Sequence, residues 1–208
     1  MRTSWTGGAL CALLALLLVG CGEGFRIEPL QRAEVRGRIV NADPTVASVT
    51  VLVEDDGGER DAGESDDDDV LLTTGVDADG RFVLRDVPAT RLTLYVVGSP
   101  GRATELTVDA PGGRVTDVGD VVLADAANIT VHVQDVDGNP IPGAEVDVDE
   151  TPFDRQTVDA AGSATFSPLA PGCYRVRARA DGFEEAEQSA CVASGQALQL
   201  TLTLPVDD

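Results

Sequence analysis

The chain has 208 residues, a formal net charge of −21 and 15 basic residues, every one of them arginine. Scattered arginines on so acidic a chain leave no basic patch for nucleic acid. The absence of lysine excludes Schiff-base chemistry and a P-loop lysine. The single histidine, His132, cannot build a histidine-rich zinc site, and any Ser-His-Asp arrangement would have to be assembled on it alone.

In chain order, the first predicted element is an address. Ala9–Val19 is an unbroken apolar run of 11 residues behind a single arginine, Arg2. As a helix it would reach roughly 16 Å, about half a bilayer core, so it reads as the hydrophobic region of a signal peptide and not as a membrane span. The run closes on Leu18-Val19-Gly20-Cys21, which resembles the bacterial lipobox. The resemblance implies cleavage between Gly20 and Cys21, with a diacylglyceryl group on the Cys21 thiol. The plainer alternative is an ordinary signal peptide in which Cys21 stands by chance. Residues 1–20 are then a lipoprotein signal peptide and 21–32 a lipidated tether. The membrane is the first expected partner, held through the lipid on Cys21. Gly22 stands where an inner-membrane retention aspartate would sit, which by analogy favours the outer membrane.

Beyond residue 33 no helical period of useful length occurs. Short alternating segments punctuated by Gly, Pro, Asn and Asp recur, the signature of an all-β sandwich. In Ala197–Leu204 the four leucines take one face while Gln199, Thr201 and Thr203 take the other. Ala144, Val146 and Val148 alternate in the same way with Glu145, Asp147 and Asp149. The chain also repeats itself. An offset of 82 residues lays Asp77–Gly80 on Asp159–Gly162, Leu84 on Phe166, Leu92 on Tyr174 and Leu94 on Val176. Two domains follow, 33–124 and 127–205, joined by a short junction.

Val133-Gln134-Asp135-Val136-Asp137-Gly138-Asn139-Pro140-Ile141-Pro142-Gly143-Ala144 resembles the opening of a carboxypeptidase regulatory-like domain. Asp159–Gly162, Leu169–Gly172 and Tyr174–Val176 resemble its middle. The first copy matches through Val35–Val40, Asp77–Phe82 and Asp86–Pro88, but lacks the Pro-Ile-Pro-Gly-Ala element. The resemblance implies two tandem seven-stranded Greek-key β-sandwiches of transthyretin-like (prealbumin-like) fold. It implies no catalytic role, because in metallocarboxypeptidases this domain accompanies a separate catalytic domain. Turn and strand motifs specify a fold, not an activity.

The acidic segment 54–69 holds ten acids and one arginine and falls between the second and third strands of copy one. It reads as a self-repelling surface insertion. Asp66, Asp67, Asp68 and Asp69 are the carboxylates that a hard cation would take, but no EF-hand spacing accompanies them, so neither a metal nor another cofactor is expected. Asp77–Gly80 and Asp135–Gly138 begin like calcium loops and do not continue as such; Asp-Gly is also turn chemistry. His132 alternates outward on its strand. Tyr95 is the one aromatic that alternation turns outward, so a sugar platform would have to use it.

Arg175, Arg177 and Arg179 form an outward stripe that Glu185 and Glu187 on the next strand can pair. With Cys11 discarded and Cys21 lipidated, Cys173 and Cys191 remain, and export favours a disulfide between them. A hairpin turning on a three-residue Asp181-Gly182-Phe183 loop places them opposite each other. It also pairs Tyr174 with Ala190, Arg177 with Glu187, Ala178 with Ala186 and Arg179 with Glu185. The repeat offset carries the cysteine pair to Arg91 and Asp109, around a Ser99-Pro100-Gly101 loop. The expected protein is a lipid-anchored, non-catalytic module of the cell envelope whose partner is an envelope protein. The alternative is a carbohydrate-binding lipoprotein with a glycan partner.

Overall fold

The computed structural model describes residues 32–52 and 70–207. All of its regular structure is β. Fifteen strands run in order: β1 Arg32–Ile39, β2 Ser48–Leu52, β3 Val70–Gly75, β4 Arg81–Pro88, β5 Arg91–Ser99, β6 Arg102–Asp109, β7 Val115–Val121, β8 Ala124–Asp125, β9 Ala127–Asp135, β10 Glu145–Val148, β11 Gln156–Thr157, β12 Ser163–Leu169, β13 Gly172–Arg179, β14 Ala186–Val192 and β15 Ala197–Leu204.

The strands form four sheets. In the N-terminal half, β4-β1-β7 accompanies β3-β2-β5-β6-β8; in the C-terminal half, β12-β9-β15 accompanies β11-β10-β13-β14. Strand order in the second half is that of the first with every strand number advanced by eight, β8 being the one addition. In each half the first and last strands are parallel neighbours, β1 beside β7 and β9 beside β15.

Alternation explains the cores. Val35, Val49, Val51, Leu84, Leu94 and Val96 of the N-terminal half are all fully buried in one cluster. Ile129, Val131, Val146, Phe166, Leu169 and Val176 fill the corresponding cluster of the C-terminal half. Each such side chain contributes about 1.5–3 kcal/mol relative to exposure. The Asp-Gly segments are turns. Oδ1 of Asp77, Asp135 and Asp159 each accepts backbone N–H groups from two and four residues ahead, at 2.8–2.9 Å. Gly162 closes one of them with φ +71°, and a Cβ there would meet the Val133 carbonyl at 2.6 Å, so glycine is required on both counts.

The β13–β14 hairpin has the expected register. Cys173 lies opposite Cys191, Tyr174 opposite Ala190, Arg177 opposite Glu187 and Ala178 opposite Ala186. The disulfide is formed, with sulfurs 2.04 Å apart. At the repeat position, Arg91 lies opposite Asp109, their charged groups 3.2 Å apart. Both connecting loops differ from expectation. Pairing of β13 with β14 stops at Ala178–Ala186, because Phe183 leaves to bridge Val206, so the three-residue loop does not form. In the first half Ser99 pairs with Arg102 across a bulge, leaving Pro100-Gly101 as the turn.

Closing a loop of this length by a disulfide is worth roughly 3 kcal/mol. Reduction should lower stability by about that amount, and amide exchange should quicken in β13 and β14 while β5 and β6 keep their protection. Equal loss in both hairpins would contradict this assignment.

Candidate functional site

Cys21, Gly20 and Asp66–Asp69 lie outside the described residues. Among the described residues no three His, Cys, Asp or Glu side chains come together as a metal site, and no helix is long and apolar enough to cross a membrane. The residues that gather most chemistry form three surfaces.

The first is the charged outer face of β10-β13-β14. Alternation places Arg175, Arg177 and Arg179 on it, as expected, but their partners come mainly from the other neighbouring strand. Arg177 Nη2 donates to Asp147 Oδ2 at 2.9 Å and to Asp149 Oδ1 at 2.6 Å. Arg179 Nε donates to Glu145 Oε2 at 2.9 Å, in place of the expected pair with Glu185. Arg175 sits 3.4 Å from Glu187. The physical reason is register: β10 lays Glu145 opposite Arg179 and Asp147 opposite Arg177, whereas β14 begins only at Ala186 and leaves Glu185 outside the pairing. Asp149 is 9% exposed, so part of this network is screened little by solvent.

The second surface is the outer face of β12-β9-β15. His132 is half-buried, one ring nitrogen 2.7 Å from Ser163 Oγ and the other 2.7 Å from Gln199 Oε1. A neutral Gln199 stands where a serine nucleophile's histidine would need a carboxylate to offset its charge. Thr130 and Thr165 share a hydroxyl bond at 3.1 Å, and Gln134 donates to Thr203 at 3.3 Å.

The third surface is the joint between the halves. Tyr95 points away from the core, as its alternation with Leu94 and Val96 demands, yet it is only 1% exposed. The expectation of an outward aromatic fails because the C-terminal half covers it. Tyr95 Oη donates to the Pro168 carbonyl at 3.0 Å and accepts the Ala170 N–H at 2.8 Å. Tyr174 Oη donates to the Ala170 carbonyl at 2.7 Å. Leu52, Ala103 and Ala170 are buried around Tyr95. Phe153 meets the Tyr95 ring edge-on at 6.1 Å between centroids, and in turn touches Phe166 at 6.5 Å. Burial pushes the Tyr95 hydroxyl up to about 12 and raises Tyr174 as well, so both stay protonated donors at neutral pH.

The junction is fastened too. Asp125 and Ala124 pair with Arg102 and Ala103 as β8, and Ala126 donates to the Gly101 carbonyl at 2.9 Å. The Asp125 carbonyl accepts the Gly195 N–H from the other half at 2.9 Å. Sequence reasoning found the short junction but missed this lock. Its one legible signal was Tyr95, a large aromatic on a face that alternation assigns to solvent.

Residues 128–205 match the family model of the carboxypeptidase regulatory-like domain. The C-terminal half therefore carries one such domain. No curated protein matches the chain. Among solved structures, the chain is similar to the Bacillus anthracis TIE protein at 12% identity, over 85% of this chain and 34% of that one, with a TM-score of 0.37. It thus spans about a third of that protein's length. It is similar to GBS52, the minor pilin of Streptococcus agalactiae, at 10% identity over 85% of this chain and 97% of that one (TM-score 0.41). It is also similar to the shaft pilin SpaA of Lactobacillus rhamnosus GG, at 10% identity over 86% and 98% (TM-score 0.36).

Two outcomes follow from the joint. Tyr95→Phe leaves the Pro168 carbonyl and the Ala170 N–H without the hydroxyl, and should cost about 2 kcal/mol in denaturant unfolding; Tyr95→Ala should cost about 4 kcal/mol. Glu105, opposite Tyr95 on β6, has its carboxyl raised by burial and then by the charge of Glu150 from the C-terminal half. A carboxyl raised on folding holds its proton more tightly in the folded state, so its contribution to stability falls as pH rises above the ordinary glutamate range. Glu105→Gln should therefore raise the melting temperature at pH 7 and narrow the difference between pH 5 and pH 7.

Proposed function

We propose that this chain is a lipid-anchored, non-catalytic cell-envelope protein that works as a structural or protein-interaction module. In this reading it consists of two tandem regulatory-like β-sandwiches, 33–124 and 127–205, held off the membrane by a tether of residues 21–32. The observation that carries the structural role is the joint. Tyr95, the β8 junction and the Asp125 contacts couple the halves, so the pair presents fixed surfaces in a fixed relation. The repeated strand order supports two sandwiches, the resemblance of Leu18–Cys21 to a lipobox supports the anchor, and Gly22 in place of a retention aspartate supports an outer-membrane location. Coupled halves suit a spacer or display element, where a catalyst would need a cleft with converging reactive groups. The carbohydrate-binding alternative loses its aromatic platform, since Tyr95 is enclosed.

Cys21→Ser tests the anchor. The variant should remain uncleaved or leave the membrane fraction, while the parent carries an acylated Cys21 at its N-terminus; a variant that matures and fractionates like the parent overturns the anchor. Crosslinking in intact envelopes, followed by pull-down, tests the interaction role. An envelope protein recovered with the parent and lost with Cys21→Ser supports it, and glycan-array binding in place of such a protein overturns it.

A further inference from the structure

The two parallel terminal strands, β7 and β15, hold the same position in the two halves and, among the described residues, end their sheets. An open sheet edge offers unpaired N–H and C=O groups to another strand, and proteins blunt such edges with charges, bulges or glycine. β7 is blunted in all three ways. Asp117 and Asp120 reach Arg36 and Arg38, the register with β1 shifts between Arg36 and Arg38, and Gly119 has φ +70°. β15 has none of these. Its eight residues, ALQLTLTL, contain no charge, glycine or proline, and their register with β9 is unbroken from Ala197 to Leu204. Beyond Leu204 the edge is taken: the Pro205 carbonyl accepts the Glu184 N–H and Asp207 donates to the Gly182 carbonyl.

We propose that β15 is a self-pairing edge, through which two copies of this chain join by antiparallel β15–β15 hydrogen bonds and merge their three-stranded sheets. Three features select a second copy as the occupant. First, charge: a molecule of net charge −21 repels its own kind, and β15 with Thr130, His132 and Gln134 of neighbouring β9 forms a strip that carries no carboxylate from Ala197 to Leu204, where two copies approach at the least electrostatic cost. Second, face matching: leucines must meet leucines, because a one-residue slip would turn them to solvent. Centring the pair on Thr201 meets this, setting Leu200 against Leu202, Leu198 against Leu204 and Gln199 against Thr203, and it uses all four leucines. Third, symmetry: that arrangement maps onto itself by rotation about a two-fold axis at Thr201, so it closes as a dimer and does not extend into a fibre. One strand pair buries little area, so the dimer is weak, forming at micromolar concentration or above.

The test is sedimentation equilibrium of the full chain in a density-matched, uncharged detergent, at protein concentrations from about 1 µM to about 1 mM. The parent should pass from monomer to dimer, and more readily as salt screens the net charge. Thr201 is exposed on the outer face, so Thr201→Asp and Thr201→Lys should melt with the parent. Each should dimerise at least about tenfold more weakly, because like charges then face each other across the axis. An equimolar mixture of the two should recover the dimer. Gln199→Lys/Thr203→Glu should also dimerise, since lysine then faces glutamate, whereas Gln199→Lys/Thr203→Lys should not. A parent that stays monomeric throughout, a charged variant that dimerises like the parent, or a mixture that fails to recover overturns the proposal.

Discussion

One tyrosine hydroxyl decides how the two halves stand to each other. Tyr95 Oη is enclosed at the joint, where it gives its proton to one carbonyl and receives one amide proton from the same short segment, Pro168 to Ala170. Each bond is worth about 1 kcal/mol net, but each also satisfies a group that would cost more if buried alone. The joint is therefore specific as well as adhesive: a rotation of one half would orphan three polar atoms at once. Phe153 and Leu52 add apolar contact around this point, and β8 ties the chain that passes between the halves.

The repeat shows how one architecture acquired two kinds of surface. The 82-residue offset carries Tyr95 to Arg177. In the first half that outward position is aromatic and is covered. In the second half it is a largely buried guanidinium shared between Asp147 and Asp149. The hairpins diverge likewise. Arg91 and Asp109 meet across the first as an exposed ion pair, a contact worth at most about 1 kcal/mol, where the second has a covalent bond.

Much of this was legible in the residues because β-structure has a period of two. Strand faces, the register that joins Cys173 to Cys191 and the three Asx turns all follow from alternation and local turn chemistry. What escaped was everything that depends on a third neighbour. Alternation says that Arg177 and Arg179 point outward, but β10 and β14 both flank β13, and the choice of carboxylate depends on where each strand stops. It says that Tyr95 leaves the core, but not that another half waits there. The hairpin loop of β13–β14 escaped because Phe183 is drawn to Val206, a contact set by tertiary packing.

The parallel placement of first and last strands bears on tension. If the chain is held at its N-terminus and drawn from its C-terminus, β1 and β7 are pulled past each other along their length, and so are β9 and β15. All the hydrogen bonds of each pair then carry load together, in shear, rather than opening one after another as in a hairpin pulled apart at its ends. The Cys173–Cys191 bridge lies in the other sheet and takes no share of that load. Strength along the axis of pull thus comes from the arrangement of non-covalent strands, and it is duplicated because the arrangement occurs twice.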